Sequence, residues 1–132
     1  MNVIENYIIV DDDDFNNILS TITIEGALGK VNIKAFSTPE NGLSYIHDEH
    51  IKILKPTILL LDLNMPTLTG WEFMEQYEKF NEEIIDRISV YILSSSVDER
   101  DIDRAKGIKL IKGFISKPLE AKSILAIANS NQ

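Results

Sequence analysis

At 132 residues, with 44% hydrophobic and 26% charged side chains, the chain has the size and composition of one globular domain with one core. Because 21 acidic residues outnumber 13 basic ones, the formal net charge of −8 repels nucleic acids and anionic membranes, and neither is expected as a partner. The chain has no cysteine, no secretory signal and no apolar run near the ~20 residues of a membrane span, so we expect a cytoplasmic protein without disulfides.

Five short apolar runs alternate with longer amphipathic stretches, which is the pattern of βα units around a parallel sheet. The predicted strands span residues 7–10, 31–36, 57–61, 89–93 and 110–115. The run from Ile58 to Leu61 lacks polar alternation, as expected of a central strand that is covered on both faces. The run from Val31 to Phe36 alternates, so it is predicted to lie at an edge. The sequence therefore predicts an α/β fold with a parallel sheet.

The stretch between the first two strands is predicted to be a helix from Phe15 to Glu25. Its Ile18, Ile22 and Ile24 have β-branched side chains, which favour strands. A parallel sheet nevertheless needs a crossover connection at this point, and a helix supplies it.

Four later helices have readable boundaries. Thr38-Pro39 offers a cap and a first-turn proline, and a helix with an aromatic stripe is predicted to follow Gly70. The helix from Asp98 to Lys106 has acids at its start, a base at its end and few apolar residues, so it is predicted to be held lightly. Pro118 is predicted to begin the final helix.

Polar side chains follow the predicted strands where each strand ends. Asp11 and Asp12 follow the first strand, Asp62 follows the third, Ser94 follows the fourth and Lys117 follows the fifth. The carboxyl ends of the strands in an open α/β sheet form one crevice, so residues more than a hundred positions apart are expected to meet there.

Such a cluster predicts phosphoryl chemistry. Carboxylates 4 Å apart repel by roughly 1 to 4 kcal/mol per pair, and a hard divalent cation relieves the repulsion. Mg²⁺ suits the site because it binds a few carboxylates and keeps several waters. A carboxylate beside Mg²⁺ can attack phosphorus and form an aspartyl phosphate, with Lys117 neutralising charge and Ser94 donating a hydrogen bond to the product.

Four motifs together resemble the response-regulator receiver family, and they occur in order over essentially the whole chain. They are Val10-Asp11-Asp12, Leu61-Asp62-Leu63-Asn64-Met65-Pro66 with Gly70, Leu93-Ser94-Ser95, and Phe114-Ile115-Ser116-Lys117-Pro118. The resemblance implies a doubly wound, flavodoxin-like fold with five parallel strands in the order 2-1-3-4-5 and helices on both faces.

The resemblance also implies roles for individual residues. Asp62 would be the phosphoacceptor, Asp12 a direct Mg²⁺ ligand, and Asp11 a ligand mostly through water. The backbone carbonyl of Asn64 would complete the protein ligands. Lys117 would contact the phosphoryl group.

Ser94 and Phe114 would form a switch pair, in which the hydroxyl is drawn to the phosphate and the ring follows inward. Pro66 and Gly70 would shape the loop after the phosphoacceptor. The family more often has threonine where this chain has Ser94, and Ser96 and Asn64 occupy positions that tune the phosphoryl lifetime in the family. The sequence leaves that lifetime open.

The implied function is that of a response regulator in a two-component system or phosphorelay. A histidine kinase or a histidine phosphotransfer protein would phosphorylate Asp62, and the altered surface would then bind an unidentified downstream protein. The chain would catalyse only its own phosphorylation and dephosphorylation. We expect residues 1–132 to form a single receiver domain with a core over about residues 6–128, without an output domain, as a monomer or weak dimer.

Three alternatives remain beside this hypothesis. The acidic run from Asp11 to Asp14 can instead be a solvated turn that caps the first helix. A haloacid-dehalogenase-like Mg²⁺ phosphohydrolase also uses an aspartate nucleophile, but it carries a second acid two residues later, where this chain has Asn64. A degenerate receiver would act as a constitutive adaptor, although no acceptor residue is missing here. His47 and His50 are interpreted as surface residues rather than as a metal site.

Overall fold

Five parallel strands form a sheet in the computed structural model, which describes residues 3–95 and 98–129. The strands are β1 (Asn6–Val10), β2 (Asn32–Phe36), β3 (Thr57–Leu61), β4 (Ile88–Ser94) and β5 (Ile111–Ser116). Their order is β2-β1-β3-β4-β5, with β3 in the centre and β2 at an edge. The predicted α/β fold and strand order are confirmed.

Helices cover both faces of the sheet. They are α1 (Asp14–Leu28), α2 (Pro39–Tyr45), α3 (Ile51–Ile53), α4 (Gly70–Tyr77), α5 (Glu82–Arg87), α6 (Glu99–Lys106) and α7 (Ala121–Ala128), and a π-helical turn (Ile46–His50) joins α2 to α3. Helices α1 and α7 pack on one face, while α2, α4, α5 and α6 pack on the other. Within the described ranges, no helix is both long and apolar enough to cross a membrane.

The central strand joins these two layers. All five residues of β3 are buried, as its uninterrupted apolar run predicts. Ile58 belongs to the same buried cluster as Ile24 of α1, whereas Leu59 belongs to the cluster of Phe73 on α4. Each fully buried aliphatic side chain of this kind contributes about 1.5 to 3 kcal/mol to folding. Packing against helices on both faces of the sheet holds the end of β3 in a fixed position. It therefore also holds Asp62, the residue that follows the strand.

The first helix forms in spite of its β-branched residues, and it is longer than predicted. The side chain of Asp13 caps it by accepting hydrogen bonds from the backbone N–H groups of Phe15 (2.9 Å) and Asn16 (3.4 Å). The capping interpretation of the acidic run is therefore right for Asp13.

Helix boundaries elsewhere differ from the predicted ones. The last helix begins at Ala121 rather than at Pro118, because Glu120 still has an extended backbone (φ −114°, ψ 154°). Helix α4 begins with a capping box, in which Thr69 and Glu72 exchange side-chain to backbone hydrogen bonds of 2.9 and 3.1 Å. The short helix α5 was not predicted.

The prediction that both histidines lie at the surface is right for His47 and wrong for His50. His47 is exposed and contacts the adjacent Asp48 at 2.8 Å. His50 is only 2% exposed, and its Nε2 lies 2.8 Å from the hydroxyl of Thr57. The π-helical turn begins at Ile46 and ends at His50, and both of these residues are buried.

One aromatic contact joins α4 to α6. The guanidinium of Arg104 lies over the ring of Trp71, 4.4 Å from its centroid. Otherwise α6 is lightly attached, as predicted, since Ala105 is its buried residue and Ile102 is half-buried.

Candidate functional site

Backbone hydrogen bonds hold the strand-end residues at one rim of the sheet. The N–H of Asp11 donates to the carbonyl of Phe36 (3.1 Å), and the N–H of Asp62 donates to that of Val10 (2.9 Å). On the far side, the N–H of Lys117 donates to the carbonyl of Ser94 (2.8 Å). The hydrogen-bond pattern of the parallel sheet thus continues just beyond the strands. It fixes the backbone positions of Asp11, Asp62 and Lys117.

Three acids meet at this rim. Asp11, Asp12 and Asp62 each offer a carboxylate oxygen, and these three oxygens lie within 4.8 Å of one another. Asp11 and Asp62 are buried, at 2% and 6% exposure, whereas Asp12 is exposed. The cluster therefore has a buried floor and one side that is open to an incoming group.

Lys117 supplies a cation to this cluster. Its Nζ lies 2.6 Å from Oδ2 of Asp11 and 3.6 Å from Oδ1 of Asp62, and its side chain is 12% exposed. A lysine held between two buried carboxylates partly neutralises both of them.

Burial raises the pKa of Asp62 to about 6, and repulsion from the Asp11 carboxylate adds to the rise. Lys117 and a long hydrogen bond from the Asn64 N–H (3.5 Å) act in the opposite direction. The ionised form of Asp62 therefore costs free energy in the folded protein. Strongly perturbed carboxyl groups of this kind are concentrated at functional sites.

Asn17 is a supporting residue that the sequence does not reveal. Its Nδ2 donates a buried hydrogen bond of 2.9 Å to the backbone carbonyl of Asp11, while the N–H of Asp13 donates to Asp11 Oδ1 at 2.9 Å. Both bonds fix the conformation of Asp11. An asparagine in a helix interior carries no distinctive pattern, so only the fold reveals this contact.

Gly70 lies against the backbone that carries Asp62. A Cβ at this position would be 2.7 Å from the Asp62 carbonyl oxygen and 2.9 Å from Leu63 Cα. The Gly70 N–H also donates to the Leu63 carbonyl at 2.9 Å. The start of α4 therefore packs directly on the backbone that carries Asp62, and only glycine fits there.

The predicted switch pair lies on adjacent strands. Ser94 is fully buried at the end of β4. Phe114 is half-buried on β5 and lines a groove of about 180 Å³ with Ile102 and Ala105 of α6. Asn64 and Pro66 are exposed in the loop after β3, and Ser96 lies outside the described residues.

Replacing the buried acid is expected to stabilise the fold. The pKa of Asp62 is raised from 3.8, its ordinary value, to about 6 in the folded protein. The contribution of this group to the free energy of unfolding is therefore complete below pH 3.8 and is lost as the pH rises through about 6. Asp62→Asn removes this loss, so the free energy of unfolding at pH 7.5 should increase by about 1 to 3 kcal/mol. Urea unfolding without divalent cations measures it.

Asp103→Asn is the matched control, because Asp103 is exposed on α6 and should change stability by less than about 0.5 kcal/mol. The difference between Asp62→Asn and the wild type should shrink toward pH 4. If Asp62→Asn were no more stable than the wild type at pH 7.5, ionised Asp62 would not be destabilising the folded protein.

Comparisons with known proteins agree with this geometry. A family model described as "Response regulator receiver domain" matches residues 7–129. The structure is similar to that of a response regulator receiver protein from Dyadobacter fermentans, with 27% identity, a TM-score of 0.87 and 96% coverage of each chain. It is also similar to a two component response regulator from Cytophaga hutchinsonii, with 25% identity, a TM-score of 0.89, and coverage of 99% of this chain and 98% of that one.

A CheY-like receiver domain protein from Methanospirillum hungatei shares the fold at 20% identity, with a TM-score of 0.74 and coverage of 96% of this chain and 92% of that one. No protein of curated function matches the chain. The family match covers β1 from its second residue, all of β2 to β5, and every residue of the acid cluster. The chain therefore belongs to the response regulator receiver domain family.

Proposed function

We propose that the chain accepts a phosphoryl group on Asp62 from a phosphohistidine of a partner protein, and that the modified chain binds a downstream protein. The observation that carries this proposal is the buried Asp62, which lies at the central strand end between a second carboxylate and a lysine. A histidine kinase or a histidine phosphotransfer protein is the class of partner that carries the required phosphohistidine.

The acid cluster fits a hard divalent cation. All of the candidate ligands are carboxylate oxygens that lie within 4.8 Å of one another, which is the donor set that a hard cation prefers. Asp11, Asp12 and Asp62 would hold Mg²⁺, together with the carbonyl of Asn64 in the adjoining loop. When bound, the ion would supply positive charge beside the transferring phosphoryl group.

The transfer itself uses groups of this chain. An oxygen of ionised Asp62 forms a bond to phosphorus while the phosphorus–nitrogen bond of the donor breaks, and the electron pair remains on the donor imidazole. Because the pKa of Asp62 is about 6, most of this group is ionised at neutral pH, and the nucleophile is available there. Lys117, already 3.6 Å from Asp62, is positioned to neutralise the phosphoryl oxygens.

A phosphohydrolase is the weaker alternative. It needs a general acid two residues after the nucleophile, and this position is Asn64, an exposed amide. We therefore propose that the catalytic activity is limited to the phosphorylation and dephosphorylation of Asp62 itself.

Incubation with Mg²⁺ and acetyl phosphate tests the proposal. We expect intact-mass spectrometry to show one labile phosphate adduct on the wild-type chain and on Asp103→Asn, and none on Asp62→Asn or in the presence of EDTA. Absence of an adduct on the wild type would favour a constitutive adaptor instead. Steady release of phosphate from many substrates would favour a phosphohydrolase.

An exposed apolar face of α1 supports docking of the donor protein beside the rim. Phe15, Ile18, Leu19 and Ile22 form the α1 apolar face, with exposures of 65%, 57%, 39% and 59%, while the helix buries Asn17, Ser20 and Ile24. A small cavity of about 100 Å³ connects Leu19 to Lys117 and Pro118 at the rim. A donor histidine that reaches Asp62 must cover this rim, so the α1 apolar face is placed to contact the donor.

A charged residue on the α1 apolar face should slow phosphoryl transfer from a protein donor but not from acetyl phosphate. Ile18→Asp is expected to slow transfer from a phosphohistidine protein at least about tenfold, because it buries a charge in an apolar contact. Phosphorylation by acetyl phosphate should be unchanged, since Ile18 lies outside the acid cluster. Ile53→Asp is the matched control, because Ile53 is 42% exposed and ends α3, which comes before the start of β3, whereas Asp62 follows the end of that strand.

Time courses of the radiolabelled chain with each donor measure both rates. An equal slowing with acetyl phosphate would mean that Ile18→Asp damages the fold rather than the contact. An unchanged rate with the protein donor would exclude the α1 apolar face as the docking surface.

A further inference from the structure

Asp11 is held at every one of its polar atoms. Its N–H donates to the Phe36 carbonyl (3.1 Å), and its Oδ1 accepts from the Asp13 N–H (2.9 Å). Its Oδ2 lies 2.6 Å from Nζ of Lys117. Its backbone carbonyl accepts from Nδ2 of Asn17 (2.9 Å), and this is the contact that comes from a helix rather than from the rim itself.

Asn17 fastens the acidic segment to α1 at two points. Its side chain donates to the Asp11 carbonyl, and its backbone N–H donates to the Asp13 carbonyl (3.1 Å). The atoms of a peptide unit lie in one plane, so holding the Asp11 carbonyl oxygen also restrains Cα of Asp12. Asp11 and Asp12 are two of the three acids whose oxygens lie within 4.8 Å of one another. One hydrogen bond from α1 therefore helps to place two candidate ligands of the cation.

Packing alone does not account for an asparagine at this position. Asn17 is 7% exposed and lies seven residues before Ile24, on the same buried side of α1. A buried carboxamide is unfavourable unless its polar atoms are paired, and asparagine is a poor residue for a helix interior.

One half of this carboxamide is paired. Because Asp11 offers a carbonyl oxygen, the atom that faces it must be the NH₂ group of Asn17. The other atom, Oδ1, is buried and has no hydrogen-bond partner within residues 3–95 and 98–129. The bond to Asp11 is thus what the buried amide provides to the described structure.

We propose that Asn17 is a positioning residue, which sets the affinity of the acid cluster for a divalent cation by orienting the peptide unit between Asp11 and Asp12. This inference rests on the proposed Mg²⁺ site. Hydrogen bonds that orient the ligands of a metal typically change its affinity by about 10- to 100-fold when they are removed. Asn17 restrains the backbone rather than a ligand atom, so we expect an effect at the lower end of this range.

Calorimetric titration of the chain with Mg²⁺, after treatment with EDTA and its removal, tests the proposal. Asn17→Leu keeps the shape of asparagine but removes the donor, and it should raise the dissociation constant for Mg²⁺ about tenfold. The titration contains no phosphodonor, so its outcome does not depend on phosphoryl transfer to Asp62.

Ile24→Val is the matched control, because Ile24 is a buried apolar residue on the same side of α1. The loss of one methyl group should lower the melting temperature by a few degrees. The dissociation constant for Mg²⁺ should stay unchanged. If Ile24→Val weakened binding as much as Asn17→Leu does, general loosening of α1 would explain both results and the proposal would be wrong.

A second variant covers the case in which Asn17→Leu does not fold. Asn17→Ser is small and polar, and its hydroxyl is too short to keep the bond of 2.9 Å to the Asp11 carbonyl, so it should also weaken binding about tenfold. An unchanged dissociation constant in either folded variant overturns this inference alone. A wild-type chain that binds no Mg²⁺ up to about 20 mM overturns the proposed cation site and this inference together, so the two failures are distinct.

Discussion

Lys117→Met is expected to lower the free energy of unfolding by about 3 to 5 kcal/mol at pH 7.5. Lys117 Nζ lies 2.6 Å from Asp11 and 3.6 Å from Asp62, and both carboxylates are buried. Methionine keeps the length and the apolar stem of lysine but removes the charge. Both acids would then face each other and Asp12 without a counter-charge, which is far more costly than the loss of an exposed ion pair.

The pH dependence of this loss has a definite sign. Without Lys117, the pKa of Asp62 should rise further above its present value of about 6, because the cation that lowers it is gone. The folded variant then holds a proton that the unfolded chain has released, so its stability falls as the pH rises from about 4 through that pKa. The destabilisation should therefore be largest at pH 7.5 and clearly smaller at pH 5.

Urea unfolding at both pH values, in EDTA, measures this effect. Lys112→Met is the matched control, because Lys112 lies on β5, the strand that leads into Lys117, and its side chain is exposed. It should change the free energy of unfolding by less than about 0.5 kcal/mol. A loss below about 1 kcal/mol for Lys117→Met at pH 7.5 would show that Lys117 is not the counter-charge of the cluster.

Gly70→Ala is expected to destabilise the protein by about 1 to 3 kcal/mol although alanine is the better helix former. The added methyl carbon would lie 2.7 Å from the Asp62 carbonyl oxygen and 2.9 Å from Leu63 Cα. Both are backbone atoms of the two residues that follow β3, so neither can move aside as a flexible side chain does. The substitution should also displace Asp62 and slow its phosphorylation by acetyl phosphate.

Gly26→Ala provides a control of the opposite sign. Gly26 lies within α1, is exposed, and would place its Cβ with nothing within 4 Å. This substitution should stabilise the protein by up to about 1 kcal/mol through helix propensity alone. Thermal unfolding of both variants measures the contrast, and a stabilised Gly70→Ala would mean that α4 does not press on the backbone at Asp62.

The sequence predicts the strands well because each strand has a readable apolar pattern, whereas their full order is implied by the resemblance to the receiver family. The apolar run of β3 and the alternation of β2 correspond directly to burial on two faces and to an edge position. Residues that follow parallel strands must share one rim, so the meeting of Asp11, Asp62 and Lys117 follows from topology without any knowledge of side-chain contacts.

The contacts that depend on packing could not be predicted. Asn17 and His50 are polar residues in helical segments, where a sequence pattern favours exposure, yet each is buried and hydrogen-bonded. The π-helical turn that contains His50 has no sequence signature. The start of the last helix at Ala121 was also missed, because a proline is compatible both with the first turn of a helix and with the extended segment before it.

The placement of the only tryptophan in the sequence gives the protein a built-in optical reporter. Trp71 directly follows Gly70, whose backbone touches that of Asp62, and its ring lies under the guanidinium of Arg104 on α6. A change in the loop that follows Asp62 or a displacement of α6 alters the surroundings of this one indole ring. Its fluorescence emission can therefore follow events at the rim in the unlabelled chain, in real time and without a second chromophore.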